Sequence, residues 1–118
     1  MDKSLTLFHH QVWRLHGNGE IVKQTLHPTR DFGLETHPLS EVKGGDCHEN
    51  AIILERLLNG ELSAGDPILD FVLLNAAALL VVGGVASDYK DGVEKAKQSV
   101  YGGSAKKAFE AFKAATLA

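Results

Sequence analysis

The sequence predicts one β-hairpin near the N-terminus, followed by a crossing loop and about four α-helices. Three observations predict this order. Two segments rich in apolar and β-branched residues, 6–15 and 21–26, flank the pair Asn18-Gly19, which is a strong short hairpin signal. Residues 27–45 contain two prolines and three glycines, which predicts irregular structure. From residue 46 onward, apolar residues recur at helical spacing between cap signals.

Residues 66–84 form the most apolar stretch of the chain and predict the central helix. Their apolar side chains point in all directions around a helix, which is typical of a protein core or a membrane. Asp70 and Asn75 interrupt the run, whereas a membrane span needs about 20 predominantly apolar residues. We therefore predict a core helix buried on nearly every side. Three amphipathic helices and one hairpin offer barely enough apolar surface to cover this helix. We therefore expect the chain to oligomerise or to be part of something larger.

The remaining helices are predicted from their caps and apolar faces. Asp46 and Glu49 form a capping box before the first of the four, and Asp66 is expected to cap the central helix. Ser87 is the expected cap of the third helix and Ser104 that of the last. In the last helix, the expected buried face consists of Ala108, Phe109, Phe112 and Ala115.

Composition and charge exclude several classes of protein. With 118 residues, the chain is long enough for one domain at most. The formal charge of −3 gives no electrostatic reason to expect nucleic acid or a membrane surface as a partner. The single cysteine, Cys47, leaves no internal disulfide and suits a reducing compartment, and the first residues do not fit a secretory signal. We therefore expect a cytoplasmic protein.

Two glycine-led helix starts are the first candidates for a binding site. Gly44 and Gly45 precede Asp46, in the general setting that binds phosphate, but Asp46 itself places a negative charge there. The second start, residues 102–104, is followed by two lysines. Because the same residues are what helix ends and N-caps require, we interpret both as structural.

The six histidines and the cysteine form no catalytic or metal-binding pattern. No two histidines have the i,i+4 spacing with which imidazoles share a metal on a helix. Cys47, His48 and Glu49 are adjacent on a helix, so a nucleophile and a base there would point apart. Asp70 and Asn75 need polar partners if they are buried. We assign no catalytic, cofactor-binding or metal-binding residue.

Several stretches nevertheless match one known family in order and spacing. Residues 12–21 resemble a V-W-x-L…G-E-I hairpin, residues 25–34 a T-L-x-P…D-F-G-L segment, and residues 44–51 a G-G-x-x-x-E-N-A helix start. Residues 72–78 read V-L-L-N-A-A-A, and residues 91–102 are similar to an E-G-V…A…S-G pattern. Each stretch alone is a weak signal. Together, from about Val12 to Ala118, they resemble the C-terminal part of anthranilate phosphoribosyltransferase.

The resemblance implies an α/β fold, with this chain as the C-terminal portion of a large domain like those of phosphoribosyltransferases and nucleoside phosphorylases. The family transfers a phosphoribosyl group from phosphoribosyl pyrophosphate to anthranilate in tryptophan biosynthesis, with magnesium and usually as a homodimer. Its phosphate loop G-T-G-G-D, its K-H-G-N motif, its anthranilate-contacting arginine and its metal-binding Asp-Glu pair all lie upstream of the matching part. The resemblance therefore assigns no catalytic, substrate-binding or metal-binding residue in this chain.

We expect a single partial domain over residues 1–118, made of a hairpin ribbon (1–26), a crossing loop (27–45) and a helical part (46–118). In the whole enzyme this part would complete the large domain, and alone it is expected to be inactive. The expected partner is the remainder of the enzyme or a second copy, bound through the apolar surface from Leu69 to Val82. The alternative is a non-catalytic association module or one half of a split enzyme.

Overall fold

The computed structural model describes residues 10–117 and has the predicted order of a hairpin followed mainly by helices. The elements are β1 (His10–Leu15), β2 (Ile21–Leu26), α1 (Pro28–Phe32), a 3₁₀ helix (Leu39–Val42), α2 (Cys47–Leu58), α3 (Pro67–Val82), α4 (Tyr89–Tyr101) and α5 (Ser104–Leu117). The four predicted helices correspond to α2 through α5. The beginning of the predicted first strand, residues 6–9, lies outside the described residues.

The two strands form an antiparallel hairpin, as predicted. Gly19 lies in its turn with a φ of 89°, which glycine adopts without strain. Successive side chains point to opposite faces of the ribbon. Leu26 on the inner face is buried, whereas Trp13, Leu15 and Ile21 on the outer face are 62%, 69% and 65% exposed. The ribbon thus presents an apolar outer face that the described part of the chain leaves uncovered.

The core of the described chain is the contact between α3 and α4. At its closest point, a Cβ added to Gly92 would lie 2.9 Å from the Cα, the Cβ and the carbonyl oxygen of Ala77. Glycine therefore allows a backbone approach that any side chain would prevent. The apolar residues buried around this point are Leu69, Leu73, Leu74 and Ala77 on α3, and Val93, Ala96 and Val100 on α4.

α3 is buried on one face, so the expectation of burial on nearly every side is wrong. Leu79 is 74% exposed and Val82 is 72% exposed, while Leu69 and Leu73 are fully enclosed. The main neighbours of α3 are α4, α1 and the 3₁₀ helix, and they leave its other face open. Among residues 10–117, no helix is both long and apolar enough to cross a membrane.

α5 has an apolar face but no buried residue, so the predicted buried face of the last helix is also wrong. Phe109 is 39% exposed and Phe112 is 66% exposed. The reason is that α4 is the main neighbour of α5, and no other element within residues 10–117 covers its apolar face. In α2, similarly, Leu57 is the one buried side chain of the helix.

Aspartate side chains cap α2, α3 and α4. Asp46 and Asp66 cap α2 and α3 as predicted, each accepting hydrogen bonds from backbone amides in the first turn. α4 is capped by Asp88, whose carboxylate accepts a hydrogen bond from the amide of Asp91 at 2.7 Å. The prediction of Ser87 as this cap is therefore wrong by one residue.

α1 lies in the segment that was expected to be irregular. His27 caps it, because its Nδ1 accepts hydrogen bonds from the amides of Thr29 and Arg30, and Gly33 ends it with a φ of 71°. The guanidinium of Arg30 hydrogen-bonds to Asp31 at 2.8 Å and lowers the pKa of that carboxyl, although partial burial opposes the shift. A helix of one turn with a histidine cap gives almost no periodic signal in the sequence.

The contact at Gly92 predicts the effect of adding one methyl group. In an exposed helix, Gly→Ala stabilises by about 1 kcal/mol. Gly92→Ala is expected to destabilise the chain instead, by roughly 1–2 kcal/mol net, because the methyl group would overlap backbone atoms of Ala77. Urea denaturation measures the change. Gly17→Ala is the control, since a Cβ at Gly17 would meet no atom within 4 Å. An unchanged or raised stability of Gly92→Ala would contradict the close approach.

The lowered pKa of Asp31 predicts a pH-dependent contribution to stability. The contribution is present above the unfolded-state pKa of about 3.9 and is lost as pH falls through the lower folded-state value. Asp31→Asn is expected to lower the stability at neutral pH by up to about 1 kcal/mol, since Arg30 is exposed. As the pH falls below about 3.9, the stabilities of the two proteins should converge, and the difference should vanish at a pH below the folded-state pKa of Asp31. A difference of constant size down to that pH would rule out the ion pair as its cause.

Candidate functional site

His37 and Asp70 form a buried hydrogen-bonded pair, although 33 positions separate them. Asp70 lies in the first turn of α3, and His37 lies just before the 3₁₀ helix. The imidazole Nε2 is 2.8 Å from Oδ2 of Asp70, and the two residues are 5% and 3% exposed. A carboxylate this deeply buried requires such a partner.

A second carboxylate faces the other nitrogen of the same ring. Oε2 of Glu41, on the 3₁₀ helix, lies 3.5 Å from Nδ1 of His37, and the Glu41 side chain is 48% exposed. This distance is too long for a good hydrogen bond, so Glu41 makes only a weak contact with the ring. We call His37, Asp70 and Glu41 the His37 clasp. It joins the 3₁₀ helix to α3.

The geometry of the His37 clasp suits a structural role better than a catalytic one. A general base must reach a proton on its substrate, and the His37 ring is enclosed with both nitrogens facing carboxylates. A cleft of about 220 Å³ adjoins Asp70 and is also lined by Glu35, Gly65 and Lys97. It is smaller than the roughly 300–1,000 Å³ of most small-molecule sites. The clasp therefore positions elements of the fold.

The glycine-led start of α2 has the structural role predicted for it. Oδ1 of Asp46 accepts a hydrogen bond from the amide of Glu49 at 2.8 Å. The Asn50 side chain holds Gly45 by two hydrogen bonds, one from the Gly45 amide at 3.0 Å and one to its carbonyl at 3.1 Å. Two amides of this helix start, those of Gly45 and Glu49, are thus engaged by side chains of the chain itself.

The other residues singled out in the sequence are not brought together. Cys47 is an exposed free thiol at the start of α2. Asn75 is exposed, and its side-chain amide donates to the carbonyl of Phe71 at 2.9 Å. Over residues 10–117, no group of histidine, cysteine and acidic side chains has the arrangement to hold a metal ion.

The pair of His37 with Asp70 was not foreseen from the sequence. His37 belongs to no recognisable motif, and its partner Asp70 lies in α3, far along the sequence. The one available signal was an aspartate inside the most apolar stretch of the chain, which requires a polar partner without naming it.

A second concave surface lies between the hairpin and the C-terminal half of α3. This groove has a volume of about 460 Å³, and we call it the hairpin groove. Its apolar lining residues are Val12, Trp13, Leu15, Leu26, Ala78, Val82 and Tyr89. Val82 and Leu15 are about 70% exposed (72% and 69%). An apolar groove of this kind is typical of a surface that contacts another polypeptide segment.

The His37 clasp predicts strongly non-additive mutations. His37→Leu leaves the Asp70 carboxylate buried without its partner, which is expected to cost about 3–5 kcal/mol. The double variant His37→Leu with Asp70→Leu removes the buried charge as well, so it should lose much less. Urea denaturation of the wild type, of His37→Leu, of Asp70→Leu and of the double variant gives the coupling energy. Glu41→Gln is the control and should change stability by less than about 1 kcal/mol, because Glu41 is half exposed. Equal losses in the single and double variants would contradict the pairing.

Comparison with known sequences assigns the family. The family model described as "Glycosyl transferase family, a/b domain" matches residues 1–106. Anthranilate phosphoribosyltransferase of Schizosaccharomyces pombe is 47% identical over 88 residues, which are 75% of this chain and 25% of that protein.

Solved structures share the fold. Anthranilate phosphoribosyltransferase from Saccharomyces cerevisiae in complex with 4-fluoroanthranilate matches with a TM-score of 0.80 and 32% identity, over 93% of this chain and 31% of that one. A variant of the yeast enzyme with Mg bound matches with the same TM-score at 30% identity. This chain thus spans about a quarter to a third of the length of these relatives (25% and 31%).

These matches confirm both the resemblance noted in the sequence and the α/β fold class that it implied. The chain belongs to the glycosyl transferase family, a/b domain, and is similar over most of its length to part of anthranilate phosphoribosyltransferase.

Proposed function

We propose that this chain completes the large domain of an anthranilate phosphoribosyltransferase. The whole enzyme would transfer a phosphoribosyl group from phosphoribosyl pyrophosphate to anthranilate, a step of tryptophan biosynthesis. The 118 residues by themselves are proposed to be inactive. The observation that carries the proposal is the match of 93% of this chain to 31% of the yeast enzyme at a TM-score of 0.80.

The uncovered apolar surface supports the proposal. A part of a domain exposes the side chains that the rest of the domain would otherwise cover. Trp13 and Leu15 on the hairpin, and Leu79 and Val82 on α3, are 62% to 74% exposed. Stable monomers rarely expose contiguous apolar patches of more than a few hundred Å². We propose that the remainder of the enzyme contacts the chain at the hairpin groove and along the open face of α3.

The chemistry of the reaction supports the proposed inactivity of the chain alone. Phosphoribosyl transfer requires a cradle for pyrophosphate, ligands for magnesium and stabilisation of a positively charged transition state. The sequence lacks the G-T-G-G-D and K-H-G-N motifs, which meet some of these requirements in the family. The residues present do not fit magnesium, because Asp70 is engaged by His37 and the described part of the chain has no other suitable group.

The proposed contribution of this chain is therefore to position other parts of the enzyme. The α3–α4 contact fixes the two helices that line the hairpin groove, and the His37 clasp joins the 3₁₀ helix to the first turn of α3. We also propose a cytoplasmic location, which the exposed free thiol of Cys47 supports, since reducing compartments preserve free thiols.

A second candidate function is a non-catalytic association module. The exposed apolar residues of the hairpin and α3 favour it as well, because they fit any protein partner of matching shape. The two candidates differ in one respect. A part of the enzyme gains activity when the missing part is supplied, and an association module does not.

Mixing the chain with the upstream two thirds of an anthranilate phosphoribosyltransferase tests the proposal. With phosphoribosyl pyrophosphate, anthranilate and Mg²⁺, the mixture is expected to consume anthranilate, measured by the loss of its fluorescence, while each part alone stays at background. Turnover by the 118-residue chain alone would contradict the proposed inactivity. Inactivity of a mixture in which the two parts bind would favour the association module.

A charged substitution in the hairpin groove provides the matched test of the contact surface. Leu15→Asp places a carboxylate at the groove and is expected to reduce the restored activity at least tenfold. Ile52→Asp is the control, since Ile52 is 59% exposed on α2, away from the groove, and should leave the restored activity nearly unchanged. Equal effects of the two substitutions would exclude the hairpin groove as the contact surface.

A further inference from the structure

One oxygen of the buried Asp70 carboxylate has no hydrogen-bond partner among residues 10–117. The hydrogen bond with His37 uses Oδ2, and no further hydrogen bond or ion pair within these residues reaches the Asp70 side chain. Asp70 is 3% exposed. Both oxygens of a carboxylate are acceptors, and buried acceptors are nearly always hydrogen-bonded. Oδ1 of Asp70 therefore requires a donor that the described part of the chain does not supply.

Asp70 lines a cleft to which four segments contribute. The cleft has a volume of about 220 Å³ and is lined by the segment after α1, the loop before α3, the first two turns of α3, and α4. Its charged lining residues are Glu35, Asp70 and Lys97, and we call it the Asp70 cleft. The Glu35 carboxylate lies beside Gly65, with its oxygens 3.6 and 3.8 Å from the position that a Cβ of Gly65 would take. Two carboxylates thus belong to one cleft.

The charges of the Asp70 cleft favour a cationic ligand. Its two carboxylates outnumber its one ammonium group, that of Lys97. Lys97 is half-buried, and within residues 10–117 neither Lys97 nor Glu35 takes part in an ion pair. A charge close to a buried carboxylate is attracted more strongly than in open water, because the surroundings screen it less. The cleft therefore has more negative charge than its own lysine neutralises.

A primary ammonium group has the size and the donors that the Asp70 cleft requires. It has three N–H donors and no acceptor, so it can donate to Oδ1 of Asp70 and to the Glu35 carboxylate at once. A volume of about 220 Å³ is small for a drug-sized ligand but sufficient for a group of a few heavy atoms. A metal ion fits less well, since no group of histidine, cysteine and acidic side chains over residues 10–117 is suited to hold one.

We propose that the Asp70 cleft binds a primary ammonium group, which donates hydrogen bonds to Oδ1 of Asp70 and to the carboxylate of Glu35. The proposal goes beyond the function proposed above, because the cleft shares no lining residue with the hairpin groove and is tested in the chain alone. A free amine and a lysine side chain of the upstream part of the enzyme share this chemistry. A competition experiment distinguishes these two sources.

NMR titration of the ¹⁵N-labelled 118-residue chain with methylammonium tests the proposal. The amide signals of Gly65 and Asp70 are expected to shift and saturate with a Kd on the order of 10 mM, near the limit for a ligand of two heavy atoms. Tetramethylammonium is the matched control probe, because it has the same charge and no N–H donor. It should cause no saturable shift of these two signals.

Substitutions that remove one charge each locate the site. Glu35→Gln is expected to weaken methylammonium binding about threefold, since Glu35 is exposed and screened by solvent. Glu41→Gln is the matched control variant, because Glu41 does not line the cleft, and it should change the Kd by less than about twofold. Asp70→Asn should abolish saturable binding, with circular dichroism as the check on folding. Lys97→Gln removes the competing cation and should tighten binding.

Addition of the upstream part of an anthranilate phosphoribosyltransferase identifies the source of the ammonium group. If a lysine of that part occupies the Asp70 cleft, its binding abolishes the methylammonium shifts. If the ligand is a free amine, the shifts persist in the complex.

Four outcomes would overturn the proposal. The first is the absence of a saturable shift up to about 100 mM methylammonium. The second is an equal response to tetramethylammonium, and the third is an equal loss of affinity in Glu35→Gln and Glu41→Gln. The fourth is binding that appears only in Lys97→Gln, which would show that Lys97 itself is the donor for Asp70.

Discussion

The close approach of α4 to α3 at Gly92 and Ala77 is the constraint on which the rest of this structure depends. With α4 held at this distance, its two ends fix the flanking segments. Near its start, the ring of Tyr89 lies 4.8 Å from that of Phe32 and so holds α1. At its end, the Tyr101 hydroxyl donates to a backbone carbonyl of the loop before α3 at 2.8 Å. The His37 clasp adds a third connection, from the 3₁₀ helix to the first turn of α3.

The same packing explains why two apolar surfaces remain open. α4, α1 and the 3₁₀ helix enclose the face of α3 that carries Leu69 and Leu73, and Leu79 and Val82 are left exposed beside the hairpin. α5 leaves α4 after a glycine turn and places its phenylalanines at the surface. The first surface is consistent with a segment that completes a larger domain, and the second lies across a groove from α2.

The local structure could be predicted from the sequence far better than the burial. The strand over residues 21–26 and the caps Asp46 and Asp66 are decided by neighbouring residues, and they were predicted correctly. Helical periodicity identifies which side chains share a face but not whether another element covers that face, so the burial of α3 and of Phe112 was predicted wrongly. The pairing of His37 with Asp70 depends on the tertiary fold, which no local pattern specifies.

Hydrogen exchange of the backbone amides tests the central claim, that α3 and α4 form a core of their own while the hairpin depends on further polypeptide. In the chain alone, amides of α3 and α4 around Ala77 and Gly92 are expected to exchange slowest, near the limit of global unfolding, and those of β1 and β2 much faster. Addition of the upstream part of an anthranilate phosphoribosyltransferase should slow exchange in the hairpin. Hairpin amides that are as protected as those of α3 in the chain alone, and that do not respond to the added part, would contradict the account.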